Sequence, residues 1–186
     1  MTKDNVRYRI IQATKQEIND KGNDFKLDEV AKRAEISKKT IYNNFEDKSE
    51  LIFCVIEEIF TCLSNRRTRI LNDTDMDIVE KIKKLIGLIP LEFFDIDLYK
   101  YEMVCKKYPK LIEYVNDRIE IEWAYIEEYL SLAMKQGRIK RANLSAVKIV
   151  GIGTIRYYLI NKELCQNSDV TISEIVSIIM NGLRMK

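Results

Sequence analysis

Histidine does not occur anywhere in the 186 residues. Its absence excludes Ser–His triads, Cys–His pairs, imidazole general bases and every His-ligated zinc or iron site. Glycine (6) and proline (2) are scarce, so turns and breakers are few and long elements are expected. No GxGxxG or GxxxxGKS/T loop is present, which argues against a nucleotide-binding sheet fold. No run approaches the roughly eighteen apolar residues of a membrane span. The start MTKDNVRYR is polar with no apolar stretch behind it, so the expectation is neither secretion nor a membrane anchor but a cytoplasmic protein. The four cysteines (Cys54, Cys62, Cys105, Cys165) form no CxxC and read as small reduced hydrophobes. Cys54 and Cys62, eight apart, share roughly one helix face, which leaves a redox sensor as a second reading.

What is present is a soluble composition, 46% hydrophobic and 32% charged with a net charge of +2. The length suits one compact domain, or one with a small module. Helical spacing recurs throughout. Val6, Ile10, Ile11, Ala13 and Ile18 mark a first helix to about Lys21, with Gly22 as its stop. A short piece from Leu27 to Ala34 follows, and Ser37 caps a second short helix through Ile41, Tyr42 and Phe45. Asp47-Lys-Ser-Glu50 has the form of a capping box and opens a long helix to about Leu71. Beyond the polar break Asn72–Asp75, helices are expected at about 76–88, 91–106, 109–136, 143–164 and 172–184. Pro90 and Pro109 open two of them, and Thr171-Ile-Ser-Glu174 is a second capping box. The fold class is therefore all-α, with about nine helices.

Two short helices joined by a tight turn and braced on both sides form a helix-turn-helix. Its second helix would present Lys38, Lys39, Thr40, Asn43 and Asn44 to a DNA major groove, while Ile41 and Phe45 turn inward. Asparagine can bond adenine bidentately, and lysine reaches guanine acceptors or phosphate. Residues 1–45 carry ten bases against seven acids, leaving a net −1 for the rest of the chain. The small positive excess sits where a phosphate-facing module needs it.

The stretch from Phe25 to Leu51 closely resembles the DNA-binding head of TetR/AcrR-family transcriptional regulators. Its T-L/I-Y-x-x-F-x-x-K-x-x-L signature stands here as Thr40-Ile41-Tyr42, Phe45, Lys48 and Leu51, and a short head followed by about five further helices is that family's layout. The resemblance implies a head over 1–47 and a ligand-binding and dimerisation body over 48–186, with 48–71 as the connecting helix. It implies phosphate contacts from Tyr42 and Lys48, base contacts from Lys38, Thr40 and Asn43, and a backbone contact from Asn44. Lys26 and Lys39 complete the expected DNA-facing set. Departures from the pattern are Glu35 where the turn normally has Gly, Lys39 where a small residue is frequent, and Lys26 where Ser or Thr usually caps. The loop after Gly22 is also one residue short.

In the body, the last helix carries a clean stripe of Ile172, Ile175, Val176, Ile179, Met180 and Leu183. The helix before it is apolar nearly all round, with Gly151 and Gly153 permitting close approach. The pair reads equally as ordinary core or as an interface. The family resemblance tips it to a homodimer through Ile155, Leu159, Ile175, Ile179 and Leu183, which would set two heads about 34–36 Å apart on a palindromic operator. Eight of the ten tyrosines lie beyond residue 98. Tyr99, Met103, Trp123, Ile126, Tyr157 and Arg156 are pocket candidates for a small hydrophobic effector, though each aromatic also reads as core filler. Arg156, the odd charge in an apolar helix, has three readings: a partner for Glu120 or Glu122, a solvent-reaching side chain, or an anion receptor. No metal constellation or nucleophile motif is present, so no catalytic residue, metal or cofactor is expected. The reading is an effector-released repressor of double-stranded DNA; the alternative is a TetR-like regulator or co-activator controlled by a protein partner.

Overall fold

The computed structural model of the chain describes residues 3–88 and 96–184, which form ten α-helices and no strand among them. They gather into two compact units, and two long helices run through both.

The first unit takes the chain to Thr61 and again up to Asn116. It holds α1 (Lys3–Lys21), a 3-10 turn (Gly22–Asp24), α2 (Leu27–Arg33), α3 (Lys38–Tyr42) and the start of α4 (Lys48–Asn72). To these it adds α6 (Leu98–Cys105) and the start of α7 (Pro109–Lys135). Ile10, Ile18, Val30, Ile41, Phe45 and Leu51 are buried from four successive elements into one core. Helices this short cannot stand alone in water, so that shared core is what holds α2 and α3 in shape.

The helix starts follow capping chemistry. Ser37 accepts from the Thr40 backbone N–H (3.1 Å), and Asp47 accepts from that of Glu50 (2.8 Å). Glu50 completes the box one residue early, accepting from the backbone N–H of Glu46 (2.6 Å) rather than of Asp47. The expected box at Thr171 and Glu174 is present in full. Gly22 (φ 54°) and Gly137 (φ 65°) both adopt the left-handed conformation that ends a helix. At Gly137 the Arg138 N–H bonds back to the Ala133 carbonyl at 2.9 Å.

The second unit begins at Cys62, takes up again at Asp117, and contains α5 (Ile78–Ile86), α8 (Leu144–Ile160), α9 (Lys162–Asn167) and α10 (Ile172–Gly182). Its core is built on Ile82, Leu85, Trp123, Leu130, Val147 and Val176. Gly151 is required there: a Cβ would stand 2.5 Å from Trp123 Cη2, so only glycine lets α8 lie against the indole.

Three boundaries differ from the sequence expectation. α5 starts only after Asp77, whose side chain accepts from the Val79 N–H (2.9 Å). α6 starts after Asp97, whose side chain accepts from the Lys100 N–H; the start expected at Pro90 lies outside the described residues. The helix expected over 143–164 breaks at Asn161 (φ −109°, ψ 39°), giving α9 as a separate element. There both the backbone N–H and the side-chain amide of Asn161 bond to the Tyr157 carbonyl.

Candidate nucleic-acid interface

The turn between α2 and α3 is held by a residue that chemistry disfavours there. Glu35 has φ 53°, which costs a non-glycine residue about 1 kcal/mol. The turn closes through Glu35 N–H to Lys32 O (3.1 Å) and Ile36 N–H to Ala31 O (3.0 Å). Arg9 on α1 donates to the Ala34 carbonyl and lies 3.4 Å from the Glu35 carboxylate, bracing the strained corner from outside.

A second arginine fixes the far end of α3. Arg7 donates to the Asn44 carbonyl, to Glu50 at 3.2 Å and to the Cys54 sulfur at 3.0 Å, while its guanidinium lies 4.2 Å from the Phe45 ring centre. Arg33 on α2 pairs with Glu17 (2.7 Å) and Asp20 (2.6 Å) of α1. Glu17 is buried, so this pair must form for α2 to seat. None of these three arginines carries a sequence motif. Each acts on a partner thirteen or more residues away, which periodicity does not register.

With the helix pinned, Lys38, Lys39, Tyr42 and Asn43 form its exposed face and Ile41 is buried. Lys38 rests on Asp28 at 3.0 Å, and that carboxylate raises the lysine above its ordinary pKa. The pair is exposed and therefore weak enough for a DNA acceptor to displace. Thr40 is half-buried and its hydroxyl meets that of Ser37 at 2.8 Å. Asn44 turns back, its amide donating to the Thr40 carbonyl at 2.8 Å. Lys26 is exposed at the start of α2 and makes no side-chain cap.

Lys48 stands in the first turn of α4. Its ammonium donates to the Phe25 carbonyl (2.6 Å) and sits 3.5 Å from the centre of the Phe25 ring. Burial pushes its pKa down, the nearby Lys107 pushes it further, and Asp24 opposes them. An ammonium has three N–H donors, so Lys48 keeps capacity for a phosphate beside the N–H groups of the first turn.

The pocket candidates fall in both units. Tyr99 (exposed) and Met103 (half-buried) belong to α6 in the first; Trp123 and Ile126 are buried in the second, where Arg156 and Tyr157 are exposed on α8. Of the interface candidates, Leu159 and Leu183 are buried within the unit, and Ile155, Ile175 and Ile179 are half-buried. The outward apolar residues are others: Ile149 is 73% exposed and Val150 51% on α8, and Ile178 is 72% exposed on α10. Helix α8 is apolar on most of its circumference, so its sequence does not tell which stripe turns out. Sequence reading also passed over a polar cluster in the second unit. There Arg67 pairs with Glu122 and stacks 4.1 Å from the Tyr125 ring centre, and Ser64 donates to Glu122 at 2.9 Å.

Comparison with known proteins agrees with this geometry. Residues 10–54 match the family described as bacterial regulatory proteins, tetR family. An HTH-type transcriptional regulator of Bacillus subtilis (strain 168), YvaF, itself uncharacterised, is 24% identical over 181 residues, 94% of each chain. Among solved structures, HlyIIR, a hemolysin II transcriptional regulator, superposes with a TM-score of 0.70 at 18% identity over the whole of both chains. The transcriptional regulator FadR from Bacillus subtilis, solved in complex with stearoyl-CoA, gives 0.66 at 15% identity over 94% of this chain and 95% of that one. With the helix-turn-helix and its signature residues in place, residues 10–54 match the tetR family of bacterial regulatory proteins, and the all-helical body shares its fold with solved transcriptional regulators.

Proposed function

We propose that the protein is a cytoplasmic, homodimeric repressor that binds a palindromic operator and is released by a small hydrophobic effector. The observation that carries this is the α3 face: Lys38, Lys39, Tyr42 and Asn43 point outward together, while Arg7 and Arg9 pin both ends of the helix to α1. Preorganised donors of this kind suit base edges and phosphates. Residues 1–47 act as the DNA-binding head, with Lys26, Thr40, Asn44 and Lys48 completing its contacts, and residues 48–186 act as the effector and dimer body.

Two copies meet through α8 and α10. Ile149, Val150 and Ile178 expose aliphatic surface that gains by mutual burial, and Ile155, Leu159, Ile175, Ile179 and Leu183 back that surface from within. No helix among the described residues is long and apolar enough to cross a membrane.

The effector site is centred on Trp123 and Ile126 of the second unit, with Arg156 and Tyr157 on α8 as further candidates; Tyr99 and Met103 are separate candidates on α6 of the first unit. The Trp123 N–H is buried with no hydrogen-bond partner in the protein, a donor that a ligand oxygen would satisfy. FadR from Bacillus subtilis, seen with stearoyl-CoA, is a fold relative holding a ligand of acyl character. Because α4 is one continuous helix from Lys48 to Asn72, a ligand that displaces its distal half shifts the head at its start. By linkage such a ligand must bind the released conformation more tightly than the operator-bound one.

The test is protection of DNA flanking the protein's own coding sequence. The expected result is a protected palindrome, lost in a Lys38→Ala/Asn43→Ala variant and released by acyl compounds that quench the single tryptophan. Equal binding of the variant and the parent to that palindrome would contradict the assignment.

A further inference from the structure

A charged feature of the first unit outside the helix-turn-helix is the corner between α6 and α7, where Lys106, Lys107 and Lys110 stand exposed around Tyr108 and Pro109. The first unit fixes this corner against the helix-turn-helix. The Tyr101 hydroxyl donates to the Lys15 carbonyl (3.3 Å), Lys100 donates to the Asn19 carbonyl, and the Asn19 side chain accepts from the Asp97 N–H (2.9 Å). At its near end the Lys107 ammonium reaches the Asn23 carbonyl at 3.4 Å.

Two residues along the same loop, the Phe25 carbonyl holds the Lys48 ammonium. Two like charges are therefore kept together beside the start of α2 and the first turn of α4. Asp24 acts on Lys48 and Asp47 on Tyr108, both exposed, while Glu102 and Glu113 stand one helical turn from Lys106 and Lys110. Lys106 and Lys110 make no ion pair among the described residues. Like charges held this close repel, and the arrangement becomes favourable when a polyanion runs past them.

Resting on the DNA-binding reading above, we propose that the Lys106–Lys107–Lys110 corner is a second phosphate-binding element. It extends the DNA face beyond the helix-turn-helix and grips the duplex backbone that flanks each half-site. These ammonium groups add affinity without choosing sequence, because phosphates carry no base identity.

The experiment uses the full chain on two duplexes, the operator trimmed to its half-sites and the same operator with about one helical turn of flanking DNA on each side, roughly 10 base pairs. The parent is compared with a Lys106→Ala/Lys107→Ala/Lys110→Ala variant and with its Lys→Arg counterpart. A control of equal charge change, Lys84→Ala/Lys135→Ala/Lys140→Ala, removes exposed lysines of the second unit. On the flanked duplex the alanine corner should lose about ten- to hundredfold in affinity at low salt, and its log–log salt slope should fall by about 0.9 for each phosphate it no longer neutralises. The arginine variant and the distant control should behave as the parent, the ratio of operator to random-sequence affinity should not move, and the trimmed duplex should show little difference. An alanine corner with the parent's slope and affinity on flanked DNA would overturn the proposal. A parent that binds neither duplex would instead overturn the DNA-binding reading, and the corner with it.

Discussion

Among the described residues, the large apolar side chains exposed on the first unit are Tyr8, Tyr42, Phe53 and Tyr99, all aromatic and three of them ending in a hydroxyl. Those on the second are mostly aliphatic: Ile121, Leu132, Ile149, Val150, Leu164 and Ile178, with Tyr157. A tyrosine ring can lie against a surface while its hydroxyl bonds water or phosphate. An isoleucine offers water nothing, and each one later buried contributes roughly 1.5–3 kcal/mol to whatever covers it. The first unit therefore suits a polar, charged partner, and Lys38, Lys39 and the α6–α7 lysines are also exposed on it. The second unit is finished for an apolar partner, which in this account is its own copy. One chain can carry both because its α4 and α7 helices pass from one unit into the other.

The largest effect should come from making the second surface resemble the first. Ile149→Glu with Ile178→Glu places a carboxylate on each of two helices of the apolar face. Burying unpaired charge is costly, so sedimentation should show a monomer with an unchanged helical spectrum. Operator affinity should fall on the order of hundredfold or more, because a single head forfeits the second half-site. A variant that stays dimeric would place the interface elsewhere.

A smaller effect should follow from Gly151→Val, which drives a side chain into Trp123. Overpacking of this kind costs about 1–3 kcal/mol, read as a lower midpoint in urea from the fluorescence of the single tryptophan. Gly153→Ala, whose added Cβ meets nothing within 4 Å, should not lower that midpoint and should raise it slightly, since alanine gains roughly 0.5–1 kcal/mol over glycine inside a helix.

The mildest contrast is chemical. Burial pushes the Cys105 thiol up to about 11, so at pH 8 it remains protonated and shielded, whereas Cys54 and Cys62 are only half-buried. The thiolate is the reactive form. A disulfide reagent at pH 8 should therefore modify Cys54 and Cys62 first and reach Cys105 and Cys165 only on unfolding. Above about pH 11, Cys105 would become intrinsically reactive and stay limited by access alone.

The head was the more legible half. Ser37, Asp47 and the Ile41/Phe45 pairing are local signals, and capping and periodicity read local signals well. The staples were not legible, because Arg7, Arg9 and Arg33 act through partners on other helices whose distance in sequence hides them. In the body, the helices were visible but their orientation was not. An all-apolar α8 gives no moment by which to decide that Ile149 turns out and Leu159 turns in. The break at Asn161 escaped for a related reason: asparagine is tolerated in a helix interior, and its bond back to the Tyr157 carbonyl is a feature of the folded chain.

In the proposed assembly, two polar heads are joined by an apolar face to read one palindrome. The measurement that tests it most directly is the stoichiometry and salt dependence of the protein on its protected operator, taken against a scrambled duplex of equal length. The expected result is two chains per operator, a steep loss of affinity with rising salt on both duplexes, and a preference for the operator that survives as salt is raised. One chain per duplex, or equal affinity for the scrambled sequence at every salt concentration, would contradict it.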